Sequence, residues 1–229
     1  MKRISVLVVD DEQTLRDFVR RNLEVRSFTV HTAANGLEAL AVFQTEHIDL
    51  VIMDLMMPHM DGMEAICRIR QLSRVPIIVL SALGEEQHKV QALNSGADDF
   101  LTKPFGVEEL LARVNAVIRR AVWAETSARK GQLVRGEIVA DLERHQVTVR
   151  GQPVELTPTE FNLLVHFMEN SGKVLRHETI LRHVWGPDYG HEAEYLRVYI
   201  GRLRQKIEQN AAKPRYLQTE RGIGYCFMA

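Results

Sequence analysis

"VLVVDDE", residues 6–12, joins four apolar β-formers to three consecutive acids, Asp10, Asp11 and Glu12. An apolar run without polar alternation is the pattern of a strand buried on both faces, as in a parallel sheet. Two adjacent carboxylates beside a low-dielectric core repel each other unless a cation or another partner compensates. Taken alone, these acids would be a solvated loop and a helix cap. The same ending recurs, however, in "DLVIMD", residues 49–54, where Asp54 closes a second apolar run.

Working outward, the first half alternates short apolar runs, "VLVVD", "TVHTA", "DLVIMD", "PIIVL" and "DFLT", with amphipathic stretches such as "TLRDFVRRNLEV". In that stretch Leu15, Phe18, Val19 and Leu23 share one helical face. Five βα units predict an α/β fold with a covered parallel sheet in the flavodoxin-like order 2-1-3-4-5. In that order strands 1 and 3 are neighbours at the switch point, so Asp10, Asp11 and Asp54 converge in one crevice. Oxygen-only ligands of this kind suit a hard divalent cation, and Mg²⁺ is the expected one. Ser81 ends the fourth run, and Lys103-Pro104 follows the fifth. A hydroxyl, an ammonium and a cation around a carboxylate meet the needs of a transferred phosphoryl group, with Asp54 as nucleophile.

The second half has a different pattern. Strand-like pieces "EIVAD", "QVTVR" and "PVEL" come first, then helices. "TPTE", residues 157–160, is a capping box with Pro158 at the first helical position and Glu160 at the third. It opens the apolar helix "FNLLVHFM"; "ETILRHVW" and "EAEYLRVYIGRLRQKIEQ" predict two more, and "RYLQTERGIGYCF" two strands around a glycine turn. The predicted division is 1–121 for the first domain, 122–134 for a polar linker and 135–229 for a second, α+β domain.

Bulk properties agree with two ordinary domains: 229 residues, 45% hydrophobic and 26% charged. No apolar run approaches the roughly 20 residues that span a bilayer, and the opening "MKRISVLVVDDE" turns acidic too soon for a secretory signal, so the expected location is cytoplasmic. Cys67 and Cys226 match no metal or redox spacing. The net charge of −1 hides a local excess, because Arg197 to Arg221 holds seven basic and two acidic residues, a net of +5. Such a segment suits a polyanion.

"VVDDE", "MDLMMPHMDG", "PIIVLSA" and "GADDFLTKPF" resemble the receiver domain of bacterial response regulators, in order and across the whole first half. The resemblance implies that Asp54 accepts a phosphoryl group from a sensor histidine kinase, with Asp10, Asp11, Asp54 and the Met56 carbonyl around Mg²⁺. It makes Ser81 the switch hydroxyl, Lys103 the phosphate contact and Phe100 the switch aromatic, and it implies a cis Lys103-Pro104 bond. Phe100 departs from the commoner tyrosine and lacks its hydroxyl. Resemblance to the OmpR/PhoB subgroup implies a phosphorylation-promoted homodimer through the fourth and fifth helices, with pairs Lys89 to Glu109, Asp98 to Arg113 and Asp99 to Arg120.

On a helical wheel, Leu196, Ile200, Leu203 and Ile207 form the inward stripe of the third C-terminal helix. Glu194, Val198, Gly201, Arg202 and Gln205 lie opposite, with Arg197 and Arg204 on the flanks. A basic-edged helix of this kind fits a major groove. "LTPTEFNLLVHFMENSGKVLRHETILRHVWG" and "YLRVYIGRLRQKIEQ…YLQTERGIGYCF" resemble the winged-helix output domain of the same subgroup. This implies DNA contacts from Tyr195, Arg197, Val198, Arg202 and Arg204, with Arg221 at the wing tip. It also implies direct-repeat promoter sites and a loop, "GPDYGHEAE", facing RNA polymerase. The wording "YLRVYIGRLRQKIEQ" and "RGIGYCFMA" is similar to regulators of the KdpE type, although Cys226 stands where relatives usually carry arginine.

The implied function is a phosphorylation-dependent transcription regulator, not an enzyme beyond metal-dependent self-phosphorylation and self-dephosphorylation at Asp54. A phosphohydrolase would need a second acid two residues after the nucleophile, where this chain has Met56. No G-x-x-x-x-G-K-[ST] supports a nucleotide switch. The alternative is a phospho-regulated protein-binding module without DNA binding, which salt-dependent duplex affinity would separate.

Overall fold

A computed structural model describes residues 3–82, 86–126, 131–187, 189–190 and 192–228. The chain forms two compact units, residues 1–118 and 119–229. Among the described residues, no helix is long and apolar enough to cross a membrane.

The first unit alternates strand and helix throughout: β1 (Ser5–Val9), α1 (Gln13–Glu24), β2 (Thr29–Ala33), α2 (Gly36–Thr45), β3 (Leu50–Asp54), α3 (Gly62–Leu72), β4 (Ile77–Ser81), α4 (Glu86–Ser95), β5 (Asp99–Thr102) and α5 (Val107–Thr126), whose residues from 119 onward count in the second unit. The sheet is parallel in the order β2-β1-β3-β4-β5, as the apolar runs predict. Every residue of β3 and β4 is buried, because helices cover both faces. Val6, Val8, Leu50, Ile52, Ile78 and Leu80 form one side of the core with Val19, Leu23, Leu110 and Val114. Asn35 and Asp61 cap α2 and α3 by accepting from the amides of Glu38 and Glu64 at 3.0 and 2.8 Å.

The expected linker is corrected at both ends. Helix α5 runs past residue 121 to Thr126, and a strand, β6 (Gln132–Arg135), begins before residue 135; residues 127–130 lie outside the described set. Edge strand β6 carries only two partly buried side chains and gains its order from pairing with β7 (Ile138–Asp141), a signal that no local periodicity carries. Strands β8 (Gln146–Val149) and β9 (Gln152–Val154) complete a four-stranded antiparallel sheet.

The second unit continues with α6 (Pro158–Glu169), β10 (Val174–Arg176), α7 (His177–Val184), α8 (Ala193–Ile207), β11 (Leu217–Glu220) and β12 (Gly224–Phe227). The capping box is present: Thr157 Oγ1 accepts from Glu160 N, and Glu160 Oε2 accepts from Thr157 N. Trp185 and Tyr199 are fully buried and meet edge to face, 5.0 Å between ring centres, fixing α7 against α8. Strands β10, β12 and β11 form a small sheet in that order, the wing. Gly224 lets β10 approach, since a Cβ there would lie 1.8 Å from the Leu175 carbonyl oxygen. At the end of α8, Glu208 accepts from the amides of Arg215, Tyr216 and Leu217, which anchors the start of β11.

Candidate functional site

The carboxyl ends of β1 and β3 meet as expected. Asp10, Asp11 and Asp54 each bring a carboxylate oxygen within 4.8 Å of the others. Asp10 is fully buried and Asp54 nearly so, while Asp11 is exposed. Lys103 bridges the two buried acids, donating to Asp10 Oδ2 at 2.6 Å and Asp54 Oδ2 at 2.8 Å. The rim is held from β4, where the Ser81 carbonyl accepts from Lys103 N at 2.8 Å, and the Lys103-Pro104 bond is cis. The Ser81 side chain is buried at the same edge.

The other Asp54 oxygen, Oδ1, accepts from the amide of Leu55 at 2.7 Å and from that of Met56 at 3.4 Å. Gly62, at the start of α3, packs against this strand end so closely that a Cβ would sit 2.0 Å from the Asp54 carbonyl oxygen. Burial raises the Asp54 carboxyl above its ordinary value; the Asp10 charge adds to this, and Lys103 offsets only part. The Lys103 ammonium is likewise raised: burial works against it, but hydrogen bonds to Asp10 and Asp54 prevail. One ammonium therefore serves two buried acids with a third carboxylate beside them, and the electrostatic deficit is one that a divalent cation fills. The donor set, all oxygen, fits Mg²⁺.

In the second unit, α8 buries Leu196, Ile200, Leu203 and Ile207 as the wheel predicts. The exposed ridge, however, is rotated from the expected one. Arg197 and Gln205 are exposed and Gly201 lies between them, whereas Val198 is 8% exposed and Tyr195 is 6% exposed. Arg202, expected at DNA, is only 11% exposed along its side chain; it pairs with Glu160 at 3.0 Å and lies 5.0 Å over the Tyr199 ring. Arg204 spans α8 and the wing, its Nε and Nη2 donating to the Leu217 carbonyl and its Nη2 also to Thr219 Oγ1. Arg221 is exposed at the turn between β11 and β12, where Gly222 takes a φ of 74°. The outward arc is therefore Arg197, Gly201 and Gln205, with Val198 and Arg202 turned toward covered sides.

Two family models match in tandem: the response regulator receiver domain over residues 6–115 and the transcriptional regulatory protein C-terminal domain over residues 151–227. The KDP operon transcriptional regulatory protein KdpE of Escherichia coli is 45% identical over 98% of this chain and 99% of its own length. The alkaline phosphatase synthesis regulator PhoP of Bacillus subtilis is 39% identical over 96% and 95%. The chain belongs to the OmpR/PhoB family of response regulators. Among solved structures, DrrB, a Thermotoga maritima OmpR/PhoB homologue, is 30% identical over the full length of both chains with a TM-score of 0.52. A RitR mutant, at 25% identity and a TM-score of 0.80, covers 98% of each chain. As a regulator of this family, the chain carries a receiver domain and a DNA-binding domain and regulates transcription.

The surface expected to join two copies of this regulator is only partly open. Glu109 is half exposed and Arg113 less so; Arg113 donates to Glu109 at 3.2 Å and to Asp99 Oδ1 at 3.1 Å. Asp99 is fully buried. Asp98 is also fully buried, and its Oδ2 accepts from Arg70 Nη2 at 2.8 Å and from the Ile77 amide at 3.0 Å. This corrects its placing on an open dimer face: a carboxylate at zero exposure needs an inward cation, and α3 supplies one. Arg120 is 2% exposed; Nη1 donates to the Trp185 carbonyl at 3.2 Å within the second unit, so it too is covered. Lys89 places its ammonium 5.6 Å over the ring of Phe100, itself 1% exposed. The loop 186–194 falls partly on residues 188 and 191, outside the described set.

Sequence reasoning missed Arg70 and took Glu160 for a cap alone. Arg70 carried no local signal for its charge partner, since Asp98 lies 28 residues further on; its other acceptors are the Gly96 and Val75 carbonyls.

Proposed function

We propose that this regulator is switched by phosphoryl transfer from a phosphohistidine of a sensor kinase to Asp54. The reading is carried by one observation, a nearly buried Asp54 whose pKa burial holds above its ordinary value, with a single ammonium shared between it and Asp10. An Asp54 carboxylate oxygen attacks phosphorus as the P–N bond breaks, the leaving histidine nitrogen keeps the electron pair, and an acyl phosphate remains. Lys103 is placed to exchange its Asp54 contact for a phosphoryl oxygen while keeping Asp10. The Leu55 amide holds Oδ1 and so fixes the orientation of the carboxylate. Asp10, Asp11, Asp54 and the Met56 carbonyl would hold Mg²⁺, which when bound offsets negative charge on the phosphoryl oxygens. Ser81, at the carboxyl end of β4, and Phe100, two residues back along β5 from the partner of Ser81, are the elements through which modification biases a receiver surface toward a homodimer. Lys89, Asp99, Glu109 and Arg113 lie on or beside that surface. Two winged helices then meet a direct-repeat duplex site, and RNA polymerase is the next partner.

Intact mass with a small-molecule phosphodonor and Mg²⁺, beside Asp54→Asn, tests the chemistry. One added phosphate on the wild type and none on Asp54→Asn is the expected result; addition to both moves the acceptor elsewhere. A rise in molecular mass in solution on modification tests the dimer, and an unchanged monomer would sink that part of the mechanism.

A further inference from the structure

We propose that Glu160 is a positioning residue for the DNA-reading helix: its one buried carboxylate grips Arg202 and Lys206, setting which arc of α8 faces a duplex and withholding both cations from the phosphates. Glu160 is fully buried. Its Oε2 accepts from Thr157 N at 2.8 Å and from Lys206 Nζ at 2.6 Å, and Oε1 lies 3.0 Å from Arg202 Nε. Lys206 also donates to the Glu155 carbonyl at 3.0 Å. Burial alone would raise the Glu160 carboxyl, yet Arg202 and Lys206 hold it below its ordinary value.

A capping box needs only a neutral acceptor at this position, and glutamine serves as well as glutamate. The charge is therefore surplus to the cap and is used on α8. Arg202 and Lys206 are one helical turn apart, so one anion grips both at once. Turning α8 by a single residue, about 100°, would draw both cations off the carboxylate and leave a buried charge unpaired. With that rotation fixed, Arg197, Gly201 and Gln205 form the outward ridge.

The inference rests on the second unit binding duplex DNA. The test uses the full chain and a labelled duplex of arbitrary sequence, with affinity measured across a salt series. Each phosphate neutralised by a side chain contributes about 0.9 to the slope of log affinity against log salt. Arg202→Met should leave the slope unchanged, and Glu160→Gln should steepen it, by up to about 1.8 if both cations are released. A shallower slope for Arg202→Met, or an unchanged one for folded Glu160→Gln, would overturn the inference. If Glu160→Gln does not fold, Arg202→Met and Lys206→Met still decide. Selection from a random duplex library reads the positioning itself: the inference expects a blurred motif from Glu160→Gln, and an unaltered one overturns it. A wild type that binds no duplex at all sinks both this inference and the DNA-binding reading.

Discussion

Asp54 and Glu160 are both buried carboxylates, one in each unit, and their surroundings are opposite. Asp54 has Asp10 and Asp11 beside it and shares a single ammonium; Glu160 has two cations and a backbone amide around it. The pKa of the first is pushed above its ordinary value, chiefly by burial and then by the Asp10 charge, and that of the second is held below its own. A surplus of negative charge at a strand end leaves room for an incoming cation and a phosphoryl group. A surplus of positive charge at a helix start closes the site and turns it into a clamp. Burial alone thus does not mark a reactive acid; the count of partners does.

The sharpest break of this comparison is steric. Gly62→Ala should disrupt the first unit by more than about 4 kcal/mol, because the Cβ would meet the Asp54 carbonyl at 2.0 Å and α3 would have to leave the strand end. Denaturant unfolding with probes in each unit checks it, and the second unit should be untouched. A loss of the same size in both units would mean that they unfold as one.

Next in size is Glu160→Gln, expected to cost the second unit about 2 kcal/mol while retaining the cap. Its pH signature is distinct. With the folded value below 4.5, the contribution of Glu160 is fully present above pH 4.5 and is lost as pH falls through the lower folded value. Acid unfolding of the second unit should therefore become less pH-dependent in the variant.

The smallest effect has the opposite sign. Asp54→Asn should raise the unfolding temperature of the first unit at neutral pH by a few degrees, since it removes a poorly solvated charge beside Asp10. With the folded value above 3.8, the contribution of Asp54 is present below pH 3.8 and is lost as pH rises through the folded value. Calorimetry at pH 7 checks it, and a destabilised Asp54→Asn would show that Lys103 outweighs the burial cost.

The first unit was legible almost entirely. Apolar runs such as VLVV, LVIM and IIVL, each followed by a polar residue, mark buried parallel strands, and the order of such a sheet places their ends together. Asp10, Asp11, Asp54, Ser81 and Lys103 follow from that rule alone. The second unit was legible in its helices and cap but less so in its surface. The wheel found the stripe of Leu196, Ile200, Leu203 and Ile207 correctly, yet it assigned Val198 and Arg202 outward because a wheel knows only the angle within one helix. Strands β6 and β10 were missed because each is three or four residues long and ordered by its neighbour.

What the sequence determined by itself was therefore the pattern of burial along each element and the family chemistry at the strand ends, because hydrophobic periodicity and turn chemistry act locally. What only the tertiary structure decided was how charges are shared. Asp98 with Arg70, Arg113 with Asp99, and Arg202 and Lys206 with Glu160 are pairs between distant segments. A buried carboxylate takes whichever cation the packing brings within reach, and that choice is made in three dimensions.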